Sequence, residues 1–372
     1  MIEMKRLLSL SAAVFVLSAL FAAPPLVYNG DTLAWNYSWK KTQCGTLNID
    51  NNIIEVSGIA CSRVTPGYIW MQSDETVKYI IATDEKGEDR ACKVKFTKSI
   101  RWDWEDMSGG VYDGVNYLFI GAFGDNEETD GNYSIVYFEE PAIDPVNTPE
   151  VTVTPQQIKY VYPDGKKHNN EALMYDNREN MIYIITKVYY DVCQVFRIPF
   201  RLDYGDETQT LEYVCDLGQK SDLGSGSKPY KGFHLVTAAD ISPDGKYILI
   251  KNHNNIVSTY CWVLYWVRYD GESVADAIMN RPPQPIKAYN TTEWQGEAIC
   301  WLDDDTFYTT SDADHENNDS SDYPPIYKFT RKWGEGVETV QAPNENHLIM
   351  QGNVVYVQSP NGLYTLDGRR VQ

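Results

Sequence analysis

Carboxylates recur just before short apolar runs in this chain: Glu105 in "DWEDM", Glu171 in "NNEALM", Asp240 in "TAADIS" and Glu297 in "QGEAIC". An ionised carboxylate is an unfavourable opening for a strand that runs into a core. If the fold gathers these groups, they repel one another, and each must take a proton, pair with a lysine or bind a cation. Ca2+ is the expected cofactor, because it accepts six to eight oxygens in flexible geometry, as about 2.4 Å contacts from Asp, Glu and Asn. Glu105, Glu171, Asp240 and Glu297 are its candidate ligands. Lys187 and Lys251 could neutralise the acids instead, or hold an anionic ligand beside the metal, and Asp125 and Asn126 are further ligand-binding candidates. His168 precedes Glu171 closely and could serve with Glu297 as acid or base toward a metal-bound water. The competing reading is that each acid accepts backbone N–H groups and serves the fold alone. GxSxG nucleophile and HExxH zinc motifs are missing from the sequence. "GSGSK" at 224–228 does not join a strand to a helix, so it reads as a loop and not a phosphate cradle.

The segments that carry these acids repeat. "EVSGIACSRVTPGYIWMQSDE" from Glu55, "DWEDMSGGVYDGVNYLFIGAFGDN" from Asp103, "NNEALMYDNRENMIYIITK" from Asn169, "TAADISPDGKYILIKNHN" from Thr237 and "QGEAICWLDDDTFYTTSDAD" from Gln295 share one plan. A small or acidic pair leads into an apolar strand, an Asp-, Asn-, Gly- or Pro-rich turn follows, and a second strand ends in polar residues. Aligned on Ile59, Met107, Leu173, Ile241 and Ile299, the units recur every 50 to 70 residues or so, with further strands between them. The fold class expected is all-β: a β-propeller of five recognisable four-stranded repeats, with a sixth blade left open and a short β tail. In a propeller the first strand of each blade lines the channel, and the second returns to the same end. Strand openings (Glu105, Asp106, Glu171, Asp240, Glu297) and strand closings (Asp74, Asp125, Asn126, Lys187, Lys251, Asn252, Asp312) then surround one mouth. The stretch "TLAWNYSWKKTQCGTLNI" before the first unit is placed to supply the outer strand of the last blade, which would remove an exposed edge.

Composition narrows the classes. The 372 residues carry a net charge of -20, with 27 tyrosines and ten tryptophans that suit strands and their packing. With no basic stripe to meet phosphates, a nucleic-acid partner is not expected. Residues 1–23 read as a secretory signal peptide: Lys5 and Arg6, an apolar run, then Ala22 and Ala23. That run holds no cysteine for a lipid anchor and is too short for a confident membrane span. Export to the periplasm, cell surface or medium is expected. Residues 24–333 form the propeller and 334–372 a polar spacer and short β segment. Seven cysteines permit disulfides and leave one over; Cys193 with Cys215 is the first pair to consider, and the equal alternative is that most are buried free thiols. Trp70, Trp102, Trp104, Trp262, Trp266 and Trp301 are expected to pack within and between blades.

The ordered motifs "SGIACSR", "DWEDMS", "YLFIGAFGDN", "YPDGKKHNNEALM", "IYIITK", "VTAADISPDGKYILI" and "QGEAI" resemble a group of exported bacterial β-propeller proteins described as phytase-like or esterase-like. The resemblance spans about residues 53 to 312 and implies the propeller fold. By analogy with calcium-dependent propeller phytases, it implies metal-facing Glu105, Glu171, Asp240 and Glu297 and phosphate-facing Lys187 and Lys251. The chain departs from that analogy in lacking a rich basic cluster for a multiply charged phosphate ester. The last 25 residues or so resemble the C-terminal β segments of Bacteroidetes exported proteins, some of which are sorting signals. The expected function is binding of a small molecule, a glycan or a surface protein at an acidic channel mouth by a monomer with a divalent cation. The alternative is a metal-dependent hydrolase of phosphate esters or lactone-like substrates.

Overall fold

The strands predicted to line the channel are buried along their length, as Val56–Cys61, Asn170–Asp176 and Val236–Ile241 illustrate. Sheets covered on both faces need apolar residues at consecutive positions, which is why these strands read as runs and not as alternations. The computed structural model describes residues 38–47, 55–74, 79–87, 90–101, 103–189, 191–218, 235–253, 261–281, 283–286, 293, 295–311, 324–332, 347–351, 354–359, 362–365 and 371.

Trp39–Thr330 is one compact unit. It is a five-bladed β-propeller, so the sixth blade left open by the repeat count is not formed. From the channel outward, blade 1 is Val56–Cys61, Tyr68–Ser73, Ile80–Asp84 and Arg90–Phe96. Blade 2 is Trp104–Tyr112, Val115–Ala122, Tyr133–Glu139 and Gln156–Val161. Blade 3 is Asn170–Asp176, Met181–Thr186, Gln194–Pro199 and Glu212–Asp216, and blade 4 is Val236–Ile241, Tyr247–His253, Cys261–Val267 and Gln284–Pro285. Blade 5 is Ala298–Asp303, Thr306–Thr310 and Pro325–Lys332, completed by Ser38–Thr46 from the start of the chain. The expected outer strand is therefore where the sequence put it, and the edge it covers is closed. The innermost strands neighbour one another in the order of the chain, and the fifth returns to the first.

Two blades carry a fifth strand lent by the next stretch of chain. Glu150–Val153 lies parallel to the edge of blade 1, and Gln209–Thr210 lies parallel to the edge of blade 2. A seven-residue helix, Val274–Asn280, follows Cys261–Val267 and precedes Gln284–Pro285 in the chain and opens on a Ser273–Asp276 capping box.

The turns are those the sequence marks. Asp113 and Gly114 both have positive φ, 48° and 79°, and join Tyr112 to Val115 as a two-residue hairpin. Large aromatic residues fill the space between blades: Phe119 stacks on Tyr175 at 4.6 Å, and Phe200 meets both edge-on. Gly110 lets the Tyr175 ring lie flat on its strand, since a Cβ there would come within 2.0 Å of the ring. Trp70, Trp104, Trp266 and Trp301 are buried as expected, Trp262 is partly buried, and Trp102 lies outside the described residues. In the second unit, His347–Gln351, Val354–Ser359 and Gly362–Thr365 form a three-stranded antiparallel sheet. No helix among the described residues is long and apolar enough to cross a membrane.

Candidate functional site

Each innermost strand of blades 1 to 4 begins with an irregularity. The ladder slips between Val56 and Gly58, Trp104 and Met107, Asn170 and Ala172, and Val236 and Ala238. An extra residue at such a bulge is freed from the ladder and turned away from it. Counting registers from the second strand, the equivalent positions are Ser57, Glu105, Glu171 and Thr237, with Glu297 in the same place ahead of Ala298 in blade 5. The channel end therefore receives carboxylates from blades 2, 3 and 5 and hydroxyls from blades 1 and 4.

Asp240, expected in this set, is not part of it. Its blade is offset by two residues from the predicted alignment, so Thr237 takes the bulge and Ala239, not Ile241, matches Met107 and Leu173. Asp240 sits deeper, accepting Trp301 N at 2.7 Å and Ser108 Oγ at 3.2 Å. Burial raises its pKa to about 6 against those bonds. Asp106 is likewise structural in its contacts. It replaces the Gly58, Ala172, Ala238 and Ala298 of the other blades, and its carboxylate accepts backbone N–H from Met107, Leu173 and Ala239 at 2.8–2.9 Å. One side chain thereby ties the inner strands of blades 2, 3 and 4.

Glu105, Glu171 and Glu297 do come together, and Lys187 joins them from the end of the second strand of blade 3. Lys187 Nζ lies 3.1 Å from Glu171 Oε1 and 3.5 Å from Glu297 Oε1. Glu105 hydrogen-bonds Glu171 and accepts Ser57 Oγ at 3.4 Å. Asn169 Nδ2 donates to Glu171 Oε1 at 3.2 Å and to Asn126 Oδ1 at 3.0 Å. Gly124 makes room for this packing, because a Cβ there would fall 2.0 Å from Glu105 Oε1. All four charged groups are nearly covered, the most open being Lys187 at 8% and Glu297 at 6% exposure.

Their proton affinities follow from that burial. Removal from water raises Glu297 to about 7, opposed by the Lys187 ammonium and reinforced by Glu171. Glu105 is pushed well above the ordinary range by burial first and the Glu171 charge second. Burial alone would lower Lys187, but Glu171, Glu297 and Glu105 outweigh it and hold the ammonium above the usual lysine value. The cluster thus sets the Lys187 ammonium against Glu171 and against a Glu297 near its midpoint at neutral pH, beside a Glu105 that holds its proton more tightly than an ordinary carboxyl group. It offers hydrogen-bond donors and acceptors side by side, plus one group able to give or take a proton at that pH.

The other expected site residues lie elsewhere. Lys251 is fully buried and paired with Glu293 at 2.7 Å, and it also donates to Ala298 O and Thr310 O. Those bonds hold it between blades 4 and 5 against the Glu293 carboxylate. The Asp125 carboxylate accepts Thr129, Asp130 and Gly131 N–H and the Tyr133 hydroxyl. Burial pushes its pKa up, yet these bonds together hold it below the ordinary value, so it fixes its own loop. His168 Nε2 faces Asp164 Oδ2 at 3.1 Å, with its ring against Tyr162 and Phe196. Asp312 falls outside the described residues. Ser57, Asn169 and Glu293 were not anticipated. Ser57 stands two residues before Ile59, the same offset as Glu105 to Met107, so its signal was present.

A divalent cation does not fit the cluster as it stands. Lys187 already holds the place between Glu171 and Glu297, and among the described residues no three His, Cys, Asp or Glu side chains are arranged to hold a metal ion.

Compared with protein-family models and with curated proteins, the chain finds no match. Solved structures of similar fold include the PQQ-bound aldose sugar dehydrogenase of Streptomyces coelicolor, at 8% identity over 79% of this chain and 99% of that one, TM-score 0.39. The catalytic domain of the Coprinopsis cinerea GH62 alpha-L-arabinofuranosidase is 8% identical over 80% of this chain and 97% of its own, TM-score 0.47. A β-propeller domain from Myceliophteria thermophila is 12% identical over 73% and 82%, TM-score 0.32.

Proposed function

We propose that this chain is an exported β-propeller that binds a small-molecule or glycan ligand at the channel end bearing Glu105, Glu171, Lys187 and Glu297. The observation that carries the reading is the meeting of three carboxyl groups and an ammonium from three blades in one nearly covered cluster. Buried charge clusters are poor stabilisers, and well-packed apolar residues of similar volume serve a fold as well or better. Perturbed titratable groups concentrate at functional sites. The mixture of donors and acceptors suits a hydroxyl-bearing ligand better than a multiply charged anion, since both lysines expected to face phosphate are bound to glutamates.

Export rests on the Lys5–Ala23 signal-peptide pattern. Surface sorting rests on the resemblance of the tail to Bacteroidetes segments, and kinship with phytase-like or esterase-like exported propellers rests on the motifs. Ca2+ belongs to this reading only as a ligand that displaces Lys187. The second reading is a hydrolase, and Glu297 at about 7 favours it, because proton transfer is most efficient when the group titrates near the working pH. Lactone-like esters fit the cluster better than phosphate esters for the charge reason just given.

The test is a thermal-shift and calorimetric screen of the mature chain against neutral sugars, polyols and lactones, with EDTA and Ca2+ arms, beside Glu171→Gln and Glu297→Gln. A probe that raises Tm in the wild type and not in the folded variants supports ligand binding. Turnover of a lactone lost in Glu297→Gln moves the chain to the hydrolase reading. Binding that is equal in wild type and variants, or none at all, overturns the assignment of this site.

A further inference from the structure

The seams between neighbouring inner strands are joined by side chains. Gln72 bonds Glu105 O between blades 1 and 2, Asp106 reaches blades 3 and 4, and Asp240 and Thr237 bond Trp301 N and Gly296 O in blade 5. At the seam where blade 5 meets blade 1, two thiols meet. Cys61 Sγ and Cys300 Sγ are 3.4 Å apart, 239 residues apart in sequence, and both are buried among Ile59, Ile69, Ala298 and Tyr308. All seven cysteines are free thiols in the structure, including the Cys193 and Cys215 considered first, and this is the pair brought into van der Waals contact.

We propose that Cys61 and Cys300 are a disulfide site that locks the first blade of the ring to the last. Closing the remaining gap requires about 1.4 Å of approach from the 3.4 Å separation to reach the ~2.05 Å bond. The step is an oxidation by a disulfide, either glutathione disulfide or a dithiol–disulfide oxidoreductase. One cysteine thiolate attacks a sulfur of the oxidant and expels its thiol. The second cysteine, as thiolate, then attacks the mixed disulfide and expels the other thiol. Two protons and two electrons leave the protein, and one disulfide becomes two thiols. Exchange must precede full closure of the seam, because both sulfurs are covered once the blades pack. The same cover then shields the bond from reductants in the folded protein. Cross-linking positions so far apart in sequence restricts the unfolded chain strongly. The inference is independent of what the channel binds.

The test folds the full mature chain in a glutathione redox buffer, blocks thiols with N-ethylmaleimide in acidic urea, and reads intact mass and a non-reduced peptide map. The expected result is two fewer adducts than in the reduced chain, a Cys61–Cys300 linked peptide, and a Tm higher than the dithiothreitol-folded sample by roughly 5–10 °C. Cys61→Ala and Cys300→Ala should each abolish that difference, and the double variant should add nothing further. Full alkylation of both cysteines, or linkage of either to another cysteine, overturns the proposal. The wild-type map decides even if a variant fails to fold.

Discussion

Lys187 and Glu297 stand 3.5 Å apart although they belong to blades 3 and 5, with blade 4 between them in the ring. The contact crosses the channel end, so the opening is narrow enough for a lysine to span. The same ammonium is 3.1 Å from Glu171 in its own blade. Whatever occupies this end must therefore deal with a pre-existing ion-pair network and not with bare acids.

Replacing Lys187 with methionine leaves the carboxyl groups without their counter-charge. Breaking a buried pair from one side typically destabilises by about 3–5 kcal/mol. Urea denaturation at pH 7.5 should show a loss of that order, and the deficit should shrink at pH 5, where the acids take up protons.

Glu297 also sets a pH dependence. Its folded value of about 7 lies above the ordinary 4.5, so the native state holds this proton more tightly than the unfolded one. Stability is then unaffected by this group below pH 4.5, falls as pH rises from there through about 7, and levels off above. Glu297→Gln should flatten that fall by on the order of 3 kcal/mol. Equal slopes for wild type and variant between pH 4.5 and 7.5 would count against the raised value.

Asp106 offers a test of the channel lining away from the site. Asparagine keeps the shape but sets an NH2 group against backbone N–H donors that now share carboxylate oxygens. Asp106→Asn should destabilise by about 2–4 kcal/mol, one lost charged hydrogen bond plus an unsatisfied donor, measured by the urea midpoint at constant m-value.

Gly124→Ala should disturb the site through packing alone. The added methyl group would overlap Glu105 Oε1 and Asp103. Any ligand found by the thermal-shift screen should lose at least tenfold in affinity, read by calorimetry, while the cooperative melt is retained.

Much of this was legible in the sequence, and the failures have identifiable physics. Apolar runs and Asp-Gly turns mark the inner strands because those strands are covered on both faces. Glu105, Glu171 and Glu297 stood out because large apolar residues follow them at a fixed offset. Blade 4 has Ala239 where the others have Ile59, Met107, Leu173 and Ile299, so its large apolar residues begin later. A slip of two residues preserves the alternation of strand faces, so hydropathy alone cannot detect it. Lys251 was misjudged because its partner, Glu293, lies just ahead of the repeat unit that opens at Gln295, and nothing local in the sequence marks the pair. His168 is close to Glu171 in sequence, but its ring is drawn aside by Asp164 and Tyr162.

The strands lent across blade boundaries give assembly a direction. Blade 1 cannot complete its outer edge until the ribosome has delivered Glu150–Val153, and blade 2 waits for Gln209–Thr210. Ser38–Thr46 is made first and finds its partner, Pro325–Lys332, among the last. Such distant pairings slow folding and leave edges open to other chains in the interval. A nascent chain arrested before residue 325 should therefore hold a nearly finished ring whose earliest strand still lacks its place.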